Sequence, residues 1–219
     1  MALTLTIGAL EALLESPGTP DEPAGEDRAF ALLEAERIIE LGKIEFAESN
    51  YAEAEQCYHN ALAIFQKYGD RAGEGVAIGN LGAWCRVQGQ HNRAVEHYTQ
   101  AIDIAREVGD KRYEGIHLGN LGVIYQEQGQ RNQAVEHFTK TIDIARMIGD
   151  KRLAGIHLGN LGGVYQEQGQ HHQAAEHFTQ GLDIAREVGN KSSEGSNLGH
   201  LGISYQHQGQ HDRAVEHFT

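Results

Sequence analysis

The sequence predicts an all-α protein built from stacked antiparallel helix hairpins. Three observations support this fold class. A segment returns about every 40 residues, for example as GNLGVIY and then GNLGGVY, and a period of this length is typical of repeat proteins. Within each copy, apolar residues recur at spacings of three and four, which is the helical period. Residues that favour helix starts and helix ends separate the helical stretches.

The copies follow one register through most of the chain. Residues 28–219 are the predicted repeat array, divided into a degenerate copy at 31–70, full copies at 71–110, 111–150 and 151–190, and a partial copy at 191–219.

Residues 1–27 are predicted to be separate from the array. They comprise a short amphipathic segment over residues 3–15 and a Pro/Gly/acidic linker over residues 16–27. This segment is expected to be either a loosely attached tail or a cap on the first repeat. A third hypothesis places it in the binding groove of its own or a neighbouring molecule.

Each repeat is predicted to contain two helices. The first helix should begin after a residue whose side chain can accept a hydrogen bond from a free backbone N–H, namely Asp70, Asp110, Asp150 or Asn190. It should end at Gly89-Gln90 or a copy of that pair, because glycine readily adopts the left-handed conformation. The second helix carries an apolar stripe that includes Ala94 and Tyr98, and it should continue to about residue 108, 148 or 188.

Glycines inside the first helices require an explanation, because each costs roughly 0.5–1 kcal/mol relative to alanine. One of them recurs in the three full copies, as Gly82, Gly122 and Gly162, and again in the partial copy as Gly202. We expect these glycines to let the two helices of a hairpin approach closely. Packing then offsets the loss of local helix stability.

The pattern Leu118-x2-Leu121-Gly122-x2-Tyr125, followed by Ala134-x3-Phe138, resembles the tetratricopeptide repeat. The resemblance covers about residues 31–219. The 40-residue period with GNLG is similar to Pins-type polarity adaptors and, more distantly, to kinesin light chain, and bacteria carry many arrays of this style. It implies a right-handed superhelical solenoid whose first helices line a concave groove.

The resemblance also implies that this groove holds partner peptides. In this register the groove-lining residues form three rows, which are Asn80, Asn120, Asn160 and His200; then Ala83, Val123, Gly163 and Ile203; and then Arg86, Gln126, Gln166 and Gln206. An amide side chain both donates and accepts, so a row of asparagines can pair with successive peptide groups. Gly79 and its copies Gly119, Gly159 and Gly199 would leave room for a ligand backbone. Alternatively, the asparagines cap or bridge neighbouring helices and the glycines serve packing alone.

Thirteen histidines raise the question of a metal site. One row recurs on the second helices, as His97, His137, His177 and His217. Neighbouring helices pack about 8–10 Å apart, whereas zinc needs ligands within about 2.1 Å. We therefore expect repeat-copied surface histidines and no metal site. The glycine patterns lie within helices rather than after a strand, so they do not indicate a phosphate loop. The sequence predicts no catalytic residues and no cofactor.

Composition narrows the class of partner. The formal net charge of −13 argues against binding to nucleic acid or to an anionic membrane. No apolar run approaches the roughly 20 residues of a membrane span. No Lys or Arg precedes residue 28, unlike the basic start of a secretory signal, so we expect a cytoplasmic protein.

The leading functional hypothesis is a non-enzymatic scaffold that binds an extended peptide segment of a partner protein in the groove. Two alternatives stay open. One is a structural array that self-assembles through its open ends, with contacts made by residues 191–219 or by the N-terminal segment. The other is the sensor or regulatory part of a larger signalling protein.

Overall fold

A computed structural model describes residues 25–218, with the side chains of residues 27–214. Over this range the chain is a series of ten α-helices joined by short turns, which are α1 (Gly25–Ala47), α2 (Tyr51–Lys67), α3 (Arg71–Val87), α4 (His91–Glu107), α5 (Lys111–Glu127), α6 (Arg131–Met147), α7 (Lys151–Glu167), α8 (His171–Glu187), α9 (Lys191–His207) and α10 (His211–Phe218). This confirms the predicted all-α class of repeated hairpins.

The helices belong to two compact units. One ends at Gln90 and contains α1 to α3, and the other begins at His91 and contains α4 to α10. The boundary falls between the two helices of the predicted repeat 71–110. The predicted repeats 111–150 and 151–190 lie wholly within the second unit.

The N-terminal predictions are only partly covered by the described residues. The amphipathic segment over residues 3–15 and most of the linker over residues 16–27 lie outside them. The end of that linker is helical instead, because α1 begins at Gly25. Asp27 lies in the first turn of this helix, and negative charge is favourable at a helix N-terminus.

The predicted helix boundaries are confirmed. Asp110 Oδ1 accepts from the backbone N–H of Tyr113 at 2.9 Å, and Asp150 Oδ1 accepts from Leu153 in the same way at 2.9 Å. Glycine closes the helix ends with positive φ, as at Gly129 (72°). In the degenerate first copy, Ser49 holds this conformation with φ of 66°.

The N-caps give a direct test of helix stability. Replacing Asp110 with Ala should lower the free energy of unfolding by about 1 kcal/mol, because the N–H of Tyr113 loses its acceptor. The measurement is urea denaturation at neutral pH. Asp143→Ala is the matched control, since that carboxylate is exposed on the second helix α6. An equal loss in both variants would contradict a capping role.

The core of the second unit lies largely between successive repeats. Ala134, Phe138 and Ile142 of α6 pack with Leu158 and its neighbours on α7, which belongs to the next repeat. An equivalent cluster joins α8 to α9 through Phe178 and Leu201. Each hairpin is therefore stabilised by burying its second helix against the following hairpin.

The glycines that recur at the same position of the first helices make room for an aromatic ring. The close approach is therefore between a helix backbone and a ring, rather than between two backbones as expected. A Cβ built on Gly122 would lie 2.6 Å from Phe138 Cδ1, and one on Gly162 would lie 2.9 Å from Phe178 Cδ1. Atoms at such distances overlap. The glycine cost in α5 and α7 is thus offset by a fully buried phenyl ring in the paired second helix.

Candidate functional site

The first helices of the second unit carry a cavity of about 370 Å³. Most of its wall comes from α7 and α9, with one residue from α5 and one from α8. The lining residues are Gln126, Gly155, Ile156, Gly159, Asn160, Gly163, Gln166, Glu167, Phe178, Ser193, Ser196, Asn197 and His200.

The structure brings several of the predicted groove residues together at this cavity. They are Gln126, Asn160, Gly163, Gln166 and His200. Other predicted residues of the same unit do not line it, namely Asn120, Val123, Ile203 and Gln206. Of these, Val123 packs against the apolar cluster around Phe138, and Ile203 is exposed.

The remaining predicted groove residues lie in the first unit, on α3. Asn80 is half-buried, and its Nδ2 donates to the carbonyl oxygen of Val76 at 2.9 Å, one turn earlier in the same helix. Ala83 and Arg86 are half-buried on that helix. The Asn80 contact lies within one helix, so it neither caps a helix nor bridges neighbouring helices as the alternative interpretation of the asparagine row expects.

Gly119, beside the asparagine row, does not leave room for a ligand backbone, which corrects the expectation for that residue, whereas Gly199 has open space beside it. The ring of His157, from the next repeat, occupies the space beside Gly119: a Cβ on Gly119 would lie 2.3 Å from His157 Cε1. The same ring stacks on Phe138, with centroids 5.6 Å apart. The register within one repeat cannot reveal this contact, because it is made between repeats.

One repeat further on, Asn197 takes the place of His157. A Cβ on Gly159 would lie 2.9 Å from Asn197 Oδ1, and one on Gly181 would lie 3.0 Å from Asn197 Nδ2. Asn197 is 3% exposed and lines the cavity. Sequence reasoning did not identify it, although its departure from the histidine of the two preceding repeats was a visible signal.

A chain of polar side chains crosses the cavity wall. His200 Nδ1 donates to Gln166 Oε1 at 3.0 Å, and Gln166 Nε2 donates to the hydroxyl of Ser204 at 3.5 Å. The His200 ring also stacks on Phe178, at 4.9 Å and nearly parallel. These contacts fix the orientation of the histidine that stands in the asparagine row.

The cavity is electrostatically close to neutral. None of its lining residues is Lys or Arg, and its carboxylate, that of Glu167, is engaged within the protein. Gln126 Nε2 donates to Glu167 Oε1 at 2.7 Å, and Arg131 lies 3.5 Å from Oε2. The arrangement is suited to uncharged donors and acceptors.

The histidines are more deeply involved in packing than a surface role allows. His117 and His157 are buried, and burial lowers the pKa of each imidazole to about 4. His137 and His177 stack on Tyr125 and on Tyr165, respectively, in the paired first helix. Within residues 25–218, no group of three or more His, Cys, Asp or Glu side chains is arranged to hold a metal ion.

Comparison with known proteins agrees with this architecture. The sequence profile of the tetratricopeptide repeat matches residues 32–107, 75–147, 113–187 and 153–219. A comparison with curated protein sequences finds no match. Among the helices of the described part of the chain, none combines the length and the apolar character needed to cross a membrane.

Solved structures share the fold at low sequence identity. BtubC from P. vanneervenii is 19% identical, with a TM-score of 0.79 over 89% of this chain and 80% of its own. A putative kinesin light chain repeat protein from Podosopora anserina is 21% identical, with a TM-score of 0.68 over 84% of this chain and 92% of its own. The signal-transduction ATPase PH0952 from Pyrococcus horikoshii, which has a tetratricopeptide repeat sensor, is 18% identical, with a TM-score of 0.74 over 95% of this chain and 32% of its own.

Proposed function

Because the chain belongs to the tetratricopeptide repeat family, whose members generally mediate protein–protein interaction, we propose that it is a non-enzymatic scaffold. Its ligand is an extended peptide segment of a partner protein. The segment lies across the first helices α5, α7 and α9, in the cytoplasm. The observation that carries this proposal is the cavity on these helices, which is lined by amides and hydroxyls without Lys or Arg.

Amide chemistry explains why an extended segment suits this surface. An extended peptide presents unpaired N–H and C=O groups at regular intervals. Asn120, Asn160, Gln126 and Gln166 recur from one repeat to the next, and all four are half-buried. Each carboxamide can donate and accept at once, so the row can follow a peptide backbone with limited dependence on its side chains. The acidic chain and the neutral cavity do not favour nucleic acid.

The test is a pair of substitutions in the asparagine row. Peptides selected on the immobilised wild-type protein from a random peptide display library are measured by fluorescence anisotropy. Asn120→Ala combined with Asn160→Ala should weaken their binding about tenfold or more, since each lost hydrogen bond contributes about 0.5–1.5 kcal/mol.

The matched control combines Asn92→Ala with Asn132→Ala. These two asparagines are exposed near the starts of second helices, and their removal should leave affinity within about twofold of wild type. If the selected peptides bind the N120A/N160A protein as tightly as the wild type, the asparagine row is not the recognition surface.

Two other roles remain as second candidates. One is the sensor part of a larger signalling protein, and the likeness to PH0952, a signal-transduction ATPase with a repeat sensor, supports this role. The other is self-assembly through residues 191–219 or through the N-terminal segment.

Light scattering that shows a strict monomer at high concentration would argue against self-assembly and would leave the scaffold proposal intact.

A further inference from the structure

We infer that the cavity between α7 and α9 is a subsite for a carboxamide side chain, Gln or Asn, of the bound segment. This inference rests on the proposed function and adds a side-chain preference to it. It follows from three features: how the cavity arises, what Asn197 lacks, and which chemistries the wall excludes.

The cavity arises where α7, α8 and α9 differ from the equivalent positions of α5, α6 and α7. Asn197 replaces the larger His157, Gly181 replaces Thr141, and Gly163 replaces Val123. The lining also has Ser193, Ser196 and His200 where the preceding helices have Leu153, Ile156 and Asn160. In the preceding level the His157 ring covers Gly119 and stacks on Phe138. With Asn in that position, part of the space between α7 and α9 is left open.

Asn197 presents an amide to the cavity that has no hydrogen-bond partner within the described part of the protein. The residue is 3% exposed, it lines the cavity, and its side chain makes no hydrogen bond with any of the described residues. Its amide oxygen and nitrogen are not among the fully buried polar atoms, so they are accessible from the cavity. A ligand group that fills the cavity displaces solvent from this amide and must supply both an acceptor and a donor, because leaving a buried amide unpaired is costly.

The rest of the wall excludes other side-chain classes. An acidic group finds no Lys or Arg on the lining and meets the carboxylate of Glu167. A basic group finds that carboxylate already engaged by Gln126 and Arg131. The exposed face of Phe178 is covered by His200, so an aromatic ring has no ring to stack on. An apolar group would leave Asn197 unpaired.

A carboxamide satisfies these constraints. Its N–H₂ can donate to Asn197 Oδ1 while its oxygen accepts from Asn197 Nδ2, as one amide pairs with another. Ser193 and Ser196 supply hydroxyls on the same wall. The volume of about 370 Å³ lies at the small end of ligand pockets, and a single side chain is a suitable occupant.

Two substitutions close the subsite with residues that the chain itself uses at the equivalent positions. Asn197→His restores the residue of the preceding level, and Gly163→Val restores the residue at position 123. A Cβ on Gly163 would meet only Gln126 Nε2, at 3.6 Å, which is ordinary contact. The Gly163→Val variant is therefore expected to fold, and circular dichroism with urea denaturation measures the folding of both variants before binding is tested.

The probe is N-acetyl-L-glutamine N-methylamide, added to the full ¹⁵N-labelled chain and followed by NMR. The Asn197 side-chain N–H₂ signals, assigned by their loss in the Asn197→His variant, should shift saturably. The dissociation constant obtained from these shifts should be at least about threefold lower than with the glutamate and leucine analogues, a ratio that one discriminating hydrogen bond provides. In the Gly163→Val variant the shifts should be lost.

The experiments distinguish a failure of the carboxamide subsite from a failure of the peptide-binding scaffold. Equal dissociation constants for the three probes, or shifts that persist in Gly163→Val, overturn the carboxamide subsite whatever the peptide selection shows. Selected peptides that lose affinity in the N120A/N160A protein but bind Asn197→His as tightly as wild type also overturn the subsite and leave the scaffold standing. If the selected peptides bind the N120A/N160A protein as tightly as the wild type, the scaffold proposal is wrong. The titration with the glutamine probe then still tests the carboxamide subsite.

Discussion

Acidification from pH 7 to pH 5 should destabilise the protein by about 2 kcal/mol for each of two buried histidines, His117 and His157. Burial lowers the pKa of both to about 4 in the folded state, against about 6.5 in an unfolded chain. Between these values the unfolded state binds more protons than the folded state. The free energy of unfolding therefore falls as pH decreases below about 6.5, and the loss levels off below about 4.

The surroundings of the two rings explain why the neutral form is favoured. His117 lies between Tyr98 and Tyr113, and neither of its ring nitrogens has a hydrogen-bond partner. Asp110 acts in the opposite direction on the pKa of His117, but burial outweighs it. His157 accepts from Asn160 Nδ2 at 3.3 Å, which also suits a neutral ring.

Urea denaturation at pH 7, 6 and 5 measures this effect. The double variant His117→Phe and His157→Phe should lose about 4 kcal/mol less than wild type between pH 7 and pH 5, because neither position titrates. His172→Gln is the control, since His172 is exposed on α8. Equal pH dependence in the double variant and the wild type would show that these histidines do not govern acid stability.

Two adjacent glycines should respond to alanine with opposite signs. Gly162→Ala should destabilise the protein by about 1–3 kcal/mol, because the new methyl group would lie 2.9 Å from the Phe178 ring. That ring cannot easily move, since it is buried and His200 stacks on it. Gly163→Ala should stabilise by about 0.5–1 kcal/mol, because the methyl group meets only Gln126 and the helix gains propensity.

Each variant is the control for the other, as they alter neighbouring residues of one helix in the same way. Urea denaturation at neutral pH measures both, and the two midpoints should fall on opposite sides of wild type. Two variants that shift stability in the same direction would contradict the assignment of Gly162 to ring packing and Gly163 to the open cavity wall.

Much of the fold could be predicted from the sequence because its determinants are local. Asp110 and Asp150 cap helices at the positions that the sequence predicts, and glycine follows the helix ends where the backbone adopts the left-handed conformation with positive φ. The apolar stripe identifies the buried face of each second helix. These features depend on neighbours within a few residues, which a periodic sequence displays directly.

The candidate site was less predictable because it depends on contacts between repeats. Gln166 and His200 were predicted to face the groove, and both line the cavity. The covering of Gly119 by His157, and of Gly159 by Asn197, depends on a residue of the following repeat. The register within one repeat gives the direction of a side chain, but not the residue of the following hairpin that fills the space beside it.

The placement of His157 over Gly119 and of Asn197 over Gly159 has an evolutionary consequence. The surface of one hairpin is completed by a residue of the next hairpin along the chain, so duplication or shuffling of a single hairpin alters the surface of its upstream neighbour without any mutation there. Replacing α9 by a copy of α7 would put histidine in place of Asn197 beside the cavity. The shape of this surface can thus change by rearrangement of existing modules alone.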